Sequence, residues 1–279
     1  MDDFIKLDDI LHSALVEDIG AGDLTTAAIV EPGKRGEAVL LARENLLLAG
    51  MVVFRRVFEL LSHDVAIETF FEDGQNVPAG EKVCLLKGPV DVILKGERTA
   101  LNFLQRMSGI ATVTQKYVRE VNDKAVRVVD TRKTAPGLRM LDKYAVTVGG
   151  GHNHRSGLYD GILIKDNHIM AAGSITRAIV LARGKSPHTI KVEVEVEDLA
   201  GAEEAVKAGA DIILLDNMSP AAMAEAVHLI NARALVEASG GITLDNIHEI
   251  ARTGVDIISV GALTHSPRAA DFSLELKPS

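Results

Sequence analysis

The stretch KVEVEVEDLAGAEEAVKAGADIILLDN, Lys191 to Asn217, decides the fold. It opens on strict Val/Glu alternation, the period of a β-strand. LAGAEEAVKAG follows with helical spacing, and IILLDN closes it as a second apolar run ending in an acid. Strand, helix and strand over so short a span make one βαβ unit, which pairs its strands in parallel through a right-handed crossover. Working outward, the same rhythm recurs in VRVVD (126–130), ILIKD (162–166), IKVEVEV (190–196), IILLDN (212–217), ALVEASG (234–240) and IISVGA (257–262). Helical patterns lie between them, among them SITRAIVLAR, PAAMAEAVHLINA and LDNIHEIARTG, and the last four strands recur about every 22 residues. Six such units predict a closed or nearly closed β/α barrel. An open doubly wound sheet is the structural rival, but no G-x-G-x-x-G follows the first strand.

The first hundred residues have another rhythm. IKLDDILHSALVED places Ile10, Leu11, Ala14 and Leu15 at helical spacing. GEAVLLARE, VAIETFFEDG and EKVCLLKG read as antiparallel-type strands between turn signals, with MVVFRRVFELL a helix among them. This is an α+β portion, expected over 1–108. The long helical stretch GERTALNFLQRMSGIATVTQKYVREV leads into the barrel, expected over 109–269. The tail DFSLELKP, within 270–279, reads as a strand too late for the barrel and is expected to rejoin the N-terminal sheet.

Composition narrows the function. The 279 residues carry a formal net charge of −9, which argues against a nucleic-acid binder with its extended basic face. A single cysteine, Cys84, rules out an intrachain disulfide and fits a reducing compartment. MDDFIKLDD lacks the basic start and apolar core of a secretory signal, and the apolar run near Leu46–Phe54 is too short for a bilayer. A cytoplasmic protein without nucleic-acid or membrane partners is expected.

The barrel strands end in polar residues, where β/α barrels build their active face. Asp130 precedes Thr131, Arg132 and Lys133; Lys165 and Asp166 end the second strand; Glu193, Glu195 and Glu197 lie on the third. Asp216 ends the fourth, Glu237, Ser239, Gly240 and Gly241 the fifth, and Gly261 the sixth. An acidic chain that gathers Arg132, Lys133 and Arg139 in TRKTAPGLR is expected to hold a small, multiply anionic substrate. In KVEVEVE the glutamates point either into the barrel, where they need Lys165 or a metal ion, or into water from an edge strand. In GGGHNHR, His152 and His154 could ligate a metal, although H-x-H has no third partner in evidence. Anion contacts from His154 and Arg155 are the favoured reading. ASGG and VGA end strands in glycine near helix starts, which suits phosphate binding or a plain turn.

Taken together, EDIGAGDLTT, GERTALNFLQRMSGIAT, TRKTAPGLR, GGGHNHR, KVEVEVE, ILLDN, EASGG and VGALTHS resemble the quinolinate phosphoribosyltransferase family from end to end. The resemblance implies an N-terminal α/β sandwich domain, a C-terminal β/α barrel and a homodimer. It implies transfer of phosphoribosyl from phosphoribosyl pyrophosphate to quinolinate with Mg²⁺, giving nicotinate mononucleotide, pyrophosphate and CO₂ in NAD synthesis. Carried onto this chain, it assigns quinolinate contacts to Arg132, Lys133, His154, Arg155 and Lys165, beside Thr131, with Arg98 lent by the partner subunit. Lys133, Glu195 and Asp216 are the implied catalytic residues. Glu195 and Asp216 lie near the ribose hydroxyls and the metal, held directly or through substrate or water. Ser239, Gly240, Gly241, Val260, Gly261 and Ala262 surround the phosphates. The rivals are a Schiff-base aldolase using Lys165, a paralogous pyrophosphorylase with another substrate, and a non-catalytic anion-binding protein.

Overall fold

The structure, a computed structural model, describes residues 6–277; Met1–Ile5, at the start of the acidic leader and the first expected helix, and Pro278 and Ser279, at the end of the tail, lie outside the described residues. In chain order the elements are α1 (Leu7–Ile19), α2 (Leu24–Ile29), β1 (Arg35–Ala42), β2 (Leu46–Leu47), α3 (Met51–Leu61), β3 (Ala66–Thr69), β4 (Asn76–Val77) and β5 (Lys82–Pro89). The long α4 (Val90–Val121) precedes β6 (Arg127–Val129), α5 (Arg139–Val148), β7 (Ile162–Ile164), α6 (Asp166–Ala172), α7 (Ile175–Lys185) and β8 (Val192–Val196). The chain ends with α8 (Leu199–Lys207), β9 (Ile212–Asp216), α9 (Pro220–Ile230), β10 (Leu235–Ser239), α10 (Ile247–Ala251), β11 (Ile257–Ser259), α11 (Ala262–His265) and β12 (Phe272–Leu276).

These elements form two compact units. The first takes residues 6–115, Ala135–Gly150 and 266–277. Its sheet runs β12-β1-β5-β3, all antiparallel, with Leu40 opposite Leu274. The tail strand therefore lies beside β1. α1 buries Leu7, Leu11 and Leu15, one residue per turn, and α3 buries Phe54 and Phe58 with their rings edge-on at 5.2 Å. Asp73 accepts the backbone N–H groups of Gly50 and Met51 at 2.8 and 2.9 Å, satisfying the orphan donors at the start of α3. The sequence reading counts Ala135–Gly150 within 109–269, whereas in the structure it clusters with the first unit. Its helix α5 carries Asp142, fully buried and held by both arms of Arg106 at 2.8 and 2.7 Å, and Tyr144, which donates to Asp73 at 2.8 Å. A helical pattern shows a segment's face but not which core receives it.

The second unit takes Lys116–Thr134 and Gly151–His265. Its six strands run β6-β11-β10-β9-β8-β7, every pair parallel. Three helices of this unit are capped as their sequences suggest: Ser174 opens α7, Asp198 opens α8, and Ser219 precedes Pro220 at the start of α9. β8 lies inside the sheet between β7 and β9, so the KVEVEVE alternation is not a solvated edge. Its valines are buried on one face while Glu193, on the other, is 4% exposed. The sheet curls strongly. Glu193 on β8 and Glu237 on β10 bring carboxylate oxygens within 4.8 Å although β9 separates their strands. Neighbouring strands sit about 4.8 Å apart, so inward curvature together with side chains leaning toward each other brings the carboxylates together. At the far edge β6 gains one parallel bridge, Val129 to His152. Among the described residues no ladder joins β7 to β6, which leaves a nearly closed barrel.

Candidate active site

All six strands of the second unit deliver their C-terminal ends to one cavity of about 620 Å³, within the usual range for a small-molecule site. Its cations come from separate strand ends. Arg132 and Lys133 follow β6, Arg155 follows the bridge at His152, and Lys165 follows β7. The carboxylates Glu195 and Asp216 come from the adjacent strands β8 and β9.

Each side chain is held by its own local structure. The Thr131 hydroxyl accepts the backbone N–H of Lys133 at 3.0 Å, and the Thr264 hydroxyl donates to the Lys133 carbonyl at 2.8 Å. These bonds pin the turn after β6 so that the Lys133 side chain runs alongside Gly261; a Cβ at that glycine would sit 3.1 Å from Lys133 Cδ. Arg155 donates through a guanidinium nitrogen to the Gly161 carbonyl at 3.0 Å. Burial first, and then the neighbouring Arg132 charge, holds its pKa below the ordinary arginine value, with Glu193 and Asp160 opposing. A cation held this way favours an incoming anion. Lys165 forms an ion pair with Glu195.

His154 is placed by three bonds. Its backbone N–H donates to Asp130 Oδ1 at 2.9 Å, and Asp130 is fully buried at the end of β6. Its Nδ1 accepts the backbone N–H of Arg155 at 2.7 Å, and its Nε2 lies 3.2 Å from Glu193 Oε2. His152, by contrast, is outside the cavity lining, and its backbone makes the bridge to β6.

The glycine loops also fall where the strand ends place them. Ser239, Gly240, Gly241, Gly261 and Ala262 line the cavity, while Val260 is buried behind them and donates its N–H to Val129. Gly240 has φ +88° and Gly241 φ +62°, and a Cβ at Gly240 would overlap the Asn217 side chain. The close approach of these two loops therefore requires glycine. Arg98 is exposed on α4 in the first unit and is not part of this lining, and Arg139 stands at the start of α5 in the first unit.

Several lining residues were not singled out as site residues from the sequence: Asn217, Glu237, Thr243, Ser259 and His265. Asn217 sits in the left-handed region at φ 54°, and its side-chain amide donates to Asp216 at 2.8 Å. The strand-end position of Glu237 was a signal, as were the motifs ILLDN and VGALTHS around Asn217 and His265. None of these reveals which side chains turn inward.

Oxygen donors suit a hard cation such as Mg²⁺, and Glu195 and Asp216 supply only oxygen. Two carboxylates would supply part of the octahedral oxygen shell such an ion takes.

Comparison with known proteins agrees with this arrangement. The family described as quinolinate phosphoribosyl transferase, C-terminal domain, matches residues 110–275, and its N-terminal domain counterpart matches residues 23–108. A probable nicotinate-nucleotide pyrophosphorylase [carboxylating] of Bacillus subtilis is 45% identical, covering 98% of this chain and 94% of that protein. The mitochondrial quinolinate phosphoribosyltransferase [decarboxylating] 2b of Nicotiana tabacum is 40% identical over 97% of this chain and 82% of that protein. The crystal structure of NadC from Streptococcus pyogenes superposes with a TM-score of 0.94 at 46% identity, covering 98% of this chain and 96% of that one. With both halves of the chain matched and the cations and carboxylates gathered in one barrel mouth, the protein belongs to the quinolinate phosphoribosyltransferase family.

Proposed function

We propose that this protein transfers a phosphoribosyl group from phosphoribosyl pyrophosphate to quinolinate with loss of CO₂, giving nicotinate mononucleotide and pyrophosphate for NAD synthesis. One observation carries the reading: Arg132, Lys133, Arg155 and Lys165 converge from separate strand ends on the cavity that also holds Glu195 and Asp216. A ring bearing two carboxylates needs such partners, since buried anions left unpaired are costly. Arginine forks meet a carboxylate through two parallel charge-assisted bonds.

In this reading Arg132, Lys133, Arg155 and Lys165 orient quinolinate with its ring nitrogen toward the anomeric carbon. Aligning two bound reactants removes up to about 7–11 kcal/mol of barrier. Glu195 and Asp216 lie where positive charge grows on the sugar as pyrophosphate departs. The N–H groups of the Gly240–Gly241 and Gly261–Ala262 loops face the phosphates. Mg²⁺, held by Glu195 and Asp216 directly or through water, would offset phosphate charge. Once the ring nitrogen is alkylated, its positive charge stabilises the electrons left behind when the adjacent carboxylate leaves as CO₂, and that carbon then takes a proton from water. No side chain acts as a nucleophile.

The reading includes a homodimer in which Arg98 enters the partner's cavity; its exposure on α4 supports this. It also includes a cytoplasmic location. The sole cysteine supports that, since burial of Cys84 pushes its thiol up to about 12, away from disulfide chemistry. No helix among the described residues is long and apolar enough to cross a membrane. The test is release of CO₂ from carboxyl-labelled quinolinate. Release that requires phosphoribosyl pyrophosphate and matches pyrophosphate formation is expected, and no release with both substrates present overturns the assignment.

A further inference from the structure

Behind the cations, His154, itself in the cavity lining, meets two buried glutamates that have no role in the reaction just described. His154 Nε2 lies 3.2 Å from Glu193 Oε2 and 3.7 Å from Glu237 Oε1. Glu237 is 1% exposed, and its Oε1 is buried without a hydrogen-bond partner among the described residues. Ser259 is a further neighbour of this carboxyl group, its hydroxyl donating to the Ala238 carbonyl at 3.5 Å.

A histidine and two glutamates at this spacing raise the question of a metal ion. A metal on Nε2 leaves the ring proton on Nδ1, which then donates to an outer partner. Here Nδ1 accepts the Arg155 N–H at 2.7 Å, so the ring proton sits on Nε2 and points at the carboxyl groups. The cluster is built around protons.

One N–H then faces two buried carboxyl groups. Two carboxylates would bury two negative charges with one imidazole N–H near both, a costly arrangement. We propose that Glu237 keeps its proton, so that the Glu193–Glu237 pair carries one negative charge, and that Glu237 is thereby a positioning residue for His154 and, through its Nδ1, for Arg155. Burial, and then the adjacent Glu193, push the Glu237 carboxyl up to about 7, against His154, Ser259 and Lys165. The groups that face it are Glu193 from β8, His154 from the loop before β7, Lys165 from the end of β7 and Ser259 from β11. When Glu237 ionises, its charge competes with Glu193 for the Nε2 proton. The ring then turns, and the bond from Nδ1 to the Arg155 backbone is lost. Arg155 loses its placement in the cavity, so the effect falls on substrate binding.

The kinetic part of the test rests on the proposed reaction, whereas the spectroscopic part does not. Infrared spectroscopy of the wild-type protein should show the carbonyl stretch of a protonated carboxyl at about pH 6 that fades by about pH 9 and is missing in Glu237→Gln. The KM for quinolinate should rise on the order of tenfold between about pH 6 and pH 8 in the wild type, as the competent fraction falls, with kcat little changed. Glu237→Gln should abolish that rise, whereas Glu237→Ala should raise KM at both pH values. Any contribution of His265, also in the lining, is common to these proteins. A wild-type protein without the carboxyl band, a band that persists in Glu237→Gln, or an unchanged KM rise in that variant overturns the proposal. Absence of any turnover overturns the reaction instead, and the infrared band still decides the state of Glu237; if Glu237→Gln fails to fold, the band's loss in Glu237→Ala makes the assignment.

Discussion

In the proposed reaction Arg155 is a residue on which quinolinate binding should depend. It is part-buried, its backbone is tied to His154, and its guanidinium reaches the cavity with one arm already bonded to Gly161. Replacing it with alanine removes charge-assisted bonds of about 1.5–3 kcal/mol. The expected loss is about ten- to a hundredfold in kcat/KM for quinolinate, and steady-state kinetics that show a near-normal value would remove Arg155 from the pocket. Glu237 carries a stability consequence as well. Its carboxyl is raised from 4.5 to about 7 on folding, so between those pH values the native state holds more protons than the unfolded chain. Wild-type stability therefore falls as pH rises through that window and levels off above it. Glu237→Gln lacks this dependence, so the variant's Tm relative to wild type should climb from about pH 5 to pH 7. Parallel melting curves for the two proteins across that range would contradict it.

At the scale of elements, the strand-to-helix turns do most of the work. Gly240 shows why: φ +88° strains any residue with a Cβ, and the added atom would meet the Asn217 side chain. Strain of about 1–3 kcal/mol is expected for Gly240→Ala. The variant should raise the KM for phosphoribosyl pyrophosphate several-fold more than that for quinolinate, and equal effects on both would mean the loop does not face the phosphates. The strands themselves were readable because alternation or a continuous β-branched run is a local property. β8 and β9 follow the KVEVEV and IILLD runs closely. The membership of α5 was not readable. Its apolar face is as plain in sequence as that of α8, but its packing depends on Arg106 and Asp73, far away in the chain.

For the whole molecule, the proposed loan of Arg98 makes activity a property of the dimer. At subsaturating quinolinate Arg98→Ala should lose most of its activity because the partner's site lacks a cation, and Arg155→Ala because its own site is damaged. Mixing the two and allowing subunits to exchange should restore roughly a quarter of wild-type activity, since an exchanged dimer has one intact site. No recovery after exchange is demonstrated would place Arg98 outside the partner's cavity.

Periodicity, capping residues and the charge at strand ends are local, and they were enough to show a parallel β/α architecture with a cationic mouth. The inward turn of Glu193 became certain only once β8 was placed inside the sheet. The meeting of Glu193 with Glu237 across β9, the tautomer of His154 and the left-handed Asn217 belong to tertiary structure alone. Such contacts depend on curvature accumulated over several strands and on which backbone groups remain unpaired at their ends. No window of sequence contains either quantity.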